Sequence, residues 1–457
     1  SNFETKSGYA TRDNGRNWAG DFVRPLLLSV NNANYAEIAA DYYTCLHEVM
    51  GESRYYSMDP FHEGGGAGTM EDYEALYAAM ETANPGSQWV IQQWQWNGGA
   101  QTYSLTAVPA GRLIVLDLFS DGSPQFGSYG YNGYAPQDAV FCAIPNFGGR
   151  SGLMGRLTNL TDNYFSYKAK YSTIKGIGDL IFQLPWMNGV KPDVAEWVSN
   201  YSIARYGVEN EEIQEAWSLL RQGVLNYGAD AIQGPVEDVW AAVPNLTANA
   251  ASAWGSTISK GYNIPPPGNT YTKERRQMLI DATYKLLSQE NAISGDIYLS
   301  NYNYDLVELG GGVLADYAHD LLLGINAAKT AAGENFATDA TYIARRDAFL
   351  QLILDVDRFK GTNLNFRLGK WTQEARDAAG EVENATTATP DWYEYNNART
   401  IVSTWSSPGT NLNDYSYRSW QGLMKDLYLP RWKHFFDNDC VVGQYVFFEW
   451  NWAHGMT

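Results

Sequence analysis

The sequence predicts an α/β portion followed by an all-α portion. Two observations carry this. Short runs rich in branched and aromatic residues alternate with helical periodicity up to about residue 190, which is the signature of βα units. Beyond that point apolar residues recur almost throughout at i, i+3, i+4 and i+7. The 457 residues suggest more than one domain, here 1–190 and 191–457.

In the first portion, a helix is expected over Tyr35–Met50, with Ile38, Tyr42, Cys45 and Val49 on one face. A short strand follows at Tyr55–Asp59. Met70–Thr82 reads as helix, stopped by Asn84-Pro85-Gly86. Further strands are expected at Trp89–Trp94, Leu113–Leu118 and Ala139–Ile144, with a weaker fifth at Tyr171–Ile174. Leu113–Leu118 is nearly continuous in apolar residues, which suits a parallel strand buried on both faces. Asp117 within it suits a buried, hydrogen-bonded structural group. Polar or glycine-rich residues follow the carboxyl ends of the strands, the edge that forms the active-site face of a barrel.

In the second portion, helices are expected at Val194–Tyr206, Glu211–Leu225, Leu306–Ala327, Leu368–Glu383, Asp391–Thr404 and Asn411–Leu427. Leu279, Ala282 and Leu286 share one helical face, and Phe349, Leu352, Ile353 and Val356 share another. Pro265-Pro266-Pro267-Gly268 marks a loop. Gly310-Gly311-Gly312 predicts a break or kink, since each glycine costs about 1 kcal/mol against alanine in a helix.

The net charge of −19 disfavours nucleic acid and anionic membranes as partners, and no run of apolar residues is long enough for a spanning helix. Cys45, Cys142 and Cys440 fit no zinc spacing, and no metal or cofactor is expected. Cys45 and Cys142 lie in apolar contexts where a buried free thiol is the usual state. Sequons at Asn159, Asn200, Asn245 and Asn384 favour a secreted or lumenal glycoprotein if the source is eukaryotic. The 16 tryptophans and 32 tyrosines supply core, with a few placed beside polar turns as sugar-stacking candidates.

Three segments carry a resemblance. They are Tyr55-Tyr56-Ser57-Met58-Asp59-Pro60-Phe61-His62-Glu63-Gly64-Gly65, Cys142-Ala143-Ile144-Pro145-Asn146-Phe147-Gly148-Gly149, and Trp392-Tyr393-Glu394-Tyr395-Asn396-Asn397-Ala398-Arg399 with Trp405, Asn413-Asp414-Tyr415 and Pro430-Arg431-Trp432. Supporting segments are Gln93-Trp94, Leu116-Asp117-Leu118-Phe119, Arg205-Tyr206-Gly207 and Leu368-Gly369-Lys370-Trp371. In this order they resemble glycoside hydrolase family 89, the α-N-acetylglucosaminidases. The resemblance implies a (β/α)8-type barrel followed by an α-helical domain, and a retaining hydrolase removing terminal α-linked N-acetylglucosamine from glycans. Residues 1–190 would then be the C-terminal part of the catalytic barrel.

Retaining hydrolysis requires two carboxyl groups about 5–5.5 Å apart. Glu63, after a strand and before three glycines, matches the family's acid/base glutamate. Standing alone, a glutamate there would read as a surface or helix-capping group. His62 either orients Glu63 or is a packed, satisfied histidine. Asp59 either joins the strand-end network or caps the following turn. Trp94 and Trp96 are stacking platforms or core. Asn146 offers an amide to sugar hydroxyls.

Two departures stand out. The family's histidine beside that asparagine is Pro145 here. The Ala-Pro-Glu-Gly segment bearing the nucleophile has no counterpart, because Gly176-Ile177-Gly178 runs directly into Asp179. No nucleophile is assigned. A glycan-binding or structural relative without activity is therefore the alternative, with a glycosidase using another second carboxylate as a third. About five strands are evident where the family's barrel has eight, and five would leave two open edges. The expectation is further chain, or a companion chain or subunit completing the barrel.

Overall fold

The computed structural model describes residues 11–12, 17–18, 22–23, 26–30, 32, 34–61, 68–92, 103–117, 138–141, 190–223, 238–241, 244–246, 273–382, 384–400, 402, 418–441, 443 and 445–455. The described residues fall into two compact units, one ending at Lys191 and the other beginning at Pro192.

The first unit opens with two short antiparallel pairs that periodicity does not reveal. β1 (Thr11–Arg12) pairs with β4 (Leu27–Leu28), and β2 (Asn17–Trp18) with β3 (Phe22–Val23). Helix α1 (Tyr35–Met50) leads into β5 (Tyr55–Ser57). Helix α2 (Met70–Ala83), β6 (Gln88–Gln92), the single turn α3 (Ser104–Ala107), β7 (Leu113–Asp117) and β8 (Asp138–Phe141) follow. The four later strands form one parallel sheet in the order β5-β6-β7-β8, in register through Tyr56↔Trp89, Val90↔Ile114 and Leu116↔Val140. All five residues of β7 are buried, Asp117 included, as a strand flanked on both sides and covered on both faces requires. The expected fifth strand, Tyr171–Ile174, lies outside the described residues.

The face that α1 buries differs from the expected one. Tyr42, Cys45 and Val49 are exposed, while Ala39 and Tyr43 are buried. The helix carries two apolar stripes, and tertiary contact selects between them. Tyr43 meets Tyr56 of β5 edge to face with centroids 5.5 Å apart, and the His47 ring lies 2.6 Å from the Tyr56 hydroxyl. Cys45 is therefore a surface thiol rather than a buried one.

The second unit is helical. α4 (Val194–Tyr206), α5 (Glu211–Gln222), α6 (Lys273–Leu287), α7 (Asp296–Ala332), α8 (Ala340–Lys360), α9 (Leu368–Ala379), α10 (Thr389–Tyr393), α11 (Leu429–Asp437) and α12 (Val446–Gly455) are its described α-helices. Their starts follow local chemistry: Asp193, Asn210 and Asp339 each accept backbone N–H groups at the first turn. Trp240, Phe349, Ile353, Trp432 and Phe435 centre the core.

Two expectations are corrected here. The Gly310–Gly312 run does not break α7, which continues for 37 residues. The reason lies on α8. A Cβ on Gly311 would sit 2.4 Å from the Lys360 amine, and one on Gly310 would sit 2.8 Å from the Phe359 ring. The glycines admit α8's end side chains, and that packing outweighs their low helix propensity. The regular helix expected over Asp391–Thr404 is instead a short α-helix, Thr389–Tyr393, continuing as π-helix Glu394–Arg399. Its wider turn brings Arg399 to 3.4 Å from Glu394, five residues back, while the Trp371 indole donates to the Ala398 carbonyl. A second π turn covers Met424–Tyr428. The tri-proline loop lies outside the described residues.

Candidate active site

A parallel βα sheet presents functional side chains just past the carboxyl ends of its strands. At β5 that position is occupied by Met58, Asp59, Pro60 and Phe61. Met58 continues the ladder by donating its N–H to the Val90 carbonyl at 3.1 Å and accepts the Trp89 indole N–H at 2.7 Å. Asp59 then crosses to the end of β6. One carboxylate oxygen accepts the Gln92 backbone N–H and the other its side-chain amide, both at 2.7 Å. Two charge-assisted bonds from one residue fix Asp59 and Gln92 as a unit. Both carboxylate oxygens are engaged across the sheet rather than on the turn that follows.

Phe61 has φ +57°, a left-handed backbone conformation that is uncommon outside glycine. Such a conformation costs on the order of 1–2 kcal/mol. Burial of the ring offsets it: Phe61 is 7% exposed and meets Tyr73 of α2 edge to face at 5.6 Å. Tyr73 in turn stacks on Trp89 at 6.0 Å. Burial pushes the Tyr73 phenol above its ordinary pKa, with Asp72 adding to the shift, so the group is neutral at working pH.

The chain returns at Gly68 against the same ring, where a Cβ would lie 2.3 Å from Phe61 Cδ2. At once Thr69 begins α2 with a reciprocal cap. Its N–H donates to Asp72 Oδ2 at 2.9 Å, and its hydroxyl accepts the Asp72 N–H at 3.3 Å. Residues 62–67 therefore join two stems that are fixed by described side chains. Of the six site residues expected from sequence, Asp59 is described; His62, Glu63, Trp94, Trp96 and Asn146 lie outside the described residues. Gln92, Phe61 and Gly68 were not singled out. The polar glutamine at a strand end was a visible signal for the first; nothing local marks the other two, whose meeting is tertiary.

Two grooves elsewhere lack the chemistry. One of about 360 Å³ lies between α1 and α2 and is lined by alanines, Tyr35, Tyr43 and His47. One of about 850 Å³ lies along α6 and α7 beside Phe359 and Leu364. Neither is lined by a carboxylate, so neither can protonate a leaving group or attack a sugar. Among the described residues no cluster of three metal-ligating side chains forms.

A family model described as the alpha-N-acetylglucosaminidase tim-barrel domain matches residues 1–181, and one described as the C-terminal domain matches residues 197–442. This chain belongs to the alpha-N-acetylglucosaminidase family. Its barrel domain precedes a helical C-terminal domain, and Asp59, Gln92 and Phe61 stand at the strand ends of the former. The alpha-N-acetylglucosaminidase of Homo sapiens is 27% identical over 420 residues, covering 86% of this chain and 51% of that protein. A family 89 glycoside hydrolase from Clostridium perfringens, solved in complex with PUGNAc, is 25% identical with a TM-score of 0.78. That match covers 98% of this chain and 51% of the other. The same bacterium's enzyme with two glutamates replaced by glutamine, in complex with its substrate GlcNAc-alpha-1,4-galactose, superposes with a TM-score of 0.80 at 24% identity. The chain spans about half the length of these relatives.

Proposed function

We propose that this chain acts as a glycoside hydrolase that removes terminal α-linked N-acetylglucosamine with Glu63 as acid/base. The observation that carries the proposal is the short segment holding Glu63, joined at both ends to fixed stems beyond β5 in a chain of this family. Glu63 in its protonated form gives its proton to the glycosidic oxygen as the bond from that oxygen to the anomeric carbon breaks. In a retaining cycle a second carboxylate attacks the anomeric carbon from the opposite face, and Glu63 then deprotonates the water that releases the sugar. His62 orients Glu63, Trp94 and Trp96 stack on the sugar, and Asn146 bonds its hydroxyls. Asp59 holds the strand end beneath them.

The nucleophile is the open position, because Gly178 is followed directly by Asp179. The favoured form of the proposal has a companion chain or subunit that completes the barrel. The other form is a glycan-binding relative without turnover. Secretion or a lumenal location accords with sequons whose asparagines Asn200 and Asn384 are exposed. Among the described residues no helix is long and apolar enough to cross a membrane. A division near residue 190 into catalytic and helical domains is part of the proposal.

The test is release of galactose from GlcNAc-α-1,4-galactose. Turnover is expected, falling by about 10²–10⁴-fold in Glu63→Gln. Sodium azide sharpens the test. If the nucleophile is absent, azide attacks the anomeric carbon from the opposite face and yields a β-glycosyl azide, in a reaction that still needs Glu63. Binding of the disaccharide with no turnover, with or without azide, supports the non-catalytic form instead.

A further inference from the structure

We infer that the groove of about 850 Å³ along α6 and α7 is a binding site, separate from any catalytic group, for an uncharged oligosaccharide. The inference concerns the helical unit alone and holds whether or not Glu63 catalyses. The walls follow from helical spacing. Ile280, Thr283, Tyr284 and Leu287 recur at i, i+3, i+4 and i+7 on α6 and give the groove one face. Asn303, Leu306, Val307 and Gly310 repeat that spacing on α7. Phe359, near the end of α8, closes the third side together with residues 362–365. Gly310 admits the Phe359 ring, since a Cβ there would fall 2.8 Å from it.

Three features select the occupant. The first is charge. None of the sixteen lining residues is charged, although 18% of the chain's residues are and its net charge is −19. A charged ligand would leave water there without gaining a counter-charge. The second is hydrogen bonding. The Thr283 and Thr362 hydroxyls donate to the Leu279 and Phe359 carbonyls, both at 2.7 Å, which leaves their oxygens as acceptors. The Asn363 side chain accepts the Asn365 N–H, and the Asn365 side chain accepts the Lys370 amine, both at 3.0 Å. Their amide nitrogens, and the whole Asn303 amide, bond nothing among the described residues and remain as donors. A docked helix would cover these groups unpaired, because its own backbone bonds are already made. Sugar hydroxyls both donate and accept, and satisfy the two kinds at once. The third is the Tyr284 ring, which is 67% exposed and meets no other ring among the described residues. A free aromatic face beside neutral polar groups suits the apolar C–H face of a sugar. The volume lies within the roughly 300–1,000 Å³ of small-molecule sites, enough for a short oligosaccharide.

The test is binding, read by calorimetry and ligand-observed NMR, of lactose, N-acetyllactosamine and maltotriose beside the anionic sialyllactose. GlcNAc-α-1,4-galactose and the aryl glycoside p-nitrophenyl α-N-acetylglucosaminide are left out of the panel, since the proposed active site would also take them. At least one neutral sugar is expected to bind with a Kd on the order of 1 mM, and sialyllactose more weakly. Tyr284→Ala and Asn303→Ala, both at exposed positions, are each expected to weaken that binding about tenfold, with unchanged melting temperatures. Tyr284→Phe keeps the ring and retains most of the affinity. Tyr42→Ala removes a comparably exposed ring, 61% exposed, from the other unit and changes nothing.

If no neutral sugar binds, if sialyllactose binds as well as lactose, or if binding survives Tyr284→Ala and Asn303→Ala combined, the inference is wrong. Sedimentation checks the rival occupant. A dimer that Tyr284→Ala dissolves would make the groove an interface between copies of this chain, and would overturn the inference as well.

Discussion

The two units use polar groups differently. In the barrel unit the decisive bonds lie at strand and helix ends: Asp59 to Gln92, Met58 to Val90 and Trp89, Thr69 to Asp72. They fix where a segment starts and stops. In the helical unit charges sit inside the core. Arg431 and Glu449, both fully buried, meet at 2.8 Å, and Arg431 also donates to the Trp240 and Ala241 carbonyls. Asp305 accepts Arg205 and the Tyr206 hydroxyl together. Burial and the neighbouring carboxylate push the Tyr206 phenol up, so it remains a donor. These bonds link segments far apart in sequence. The difference teaches that damage to the first unit should appear in catalysis and damage to the second in stability.

The sharpest test of that division is Arg431→Met. It breaks the buried ion pair with Glu449 by removing one member, which costs about 3–5 kcal/mol. Denaturant unfolding should show a loss of that size, with no change in the ratio of disaccharide to aryl-glycoside turnover in the protein that remains folded. A changed ratio would mean that the helical core also tunes the chemistry, and the division would not hold.

Next in size is Gly311→Ala. Lys360 is 4% exposed, donates to the Val307 carbonyl at 3.1 Å, and lies 4.4 Å from the Phe366 ring centre. The added methyl would occupy the space of its amine, so the cost is about 1–3 kcal/mol despite alanine's better helix propensity. A stabilised Gly311→Ala variant would show that propensity, not packing, governs this stretch of α7.

The same position shows what was legible in advance. Helices α1 and α4 begin and end at their expected residues, because their apolar spacing and stop signals are local. The parallel strands were legible for the same reason, with β5 ending two residues before its expected end and β6 starting one residue before its expected start. The continuity of α7 was not, since its cause, the Phe359 and Lys360 side chains, lies some fifty residues away. Nor was the π turn at Glu394–Arg399, whose i to i+5 pairing no 3.6-residue period reveals. At the candidate site Asp59 was legible as a polar group at a strand end. Its partner Gln92 and the meeting of Phe61 with Gly68 depend on strand register and loop return, which a linear pattern does not encode.

The smallest effect concerns the outer face of α1, where apolar character suggested burial. Cys45 is exposed and Tyr42 is 61% exposed, whereas Cys440 is half-buried beside Tyr342, with sulfur and hydroxyl 3.1 Å apart. Burial raises the Cys440 thiol pKa, which lowers its thiolate fraction and its reactivity. In native protein an aromatic disulfide reagent should therefore modify Cys45 quickly and Cys440 slowly, as peptide mapping would show. Cys45→Ser should change stability by less than about 0.5 kcal/mol, as expected of a surface position. A Cys45 that resists the reagent, or a serine variant that loses stability, would mean that this stripe of α1 is covered in solution. The buried and exposed faces assigned to the helix would then have to be reconsidered together.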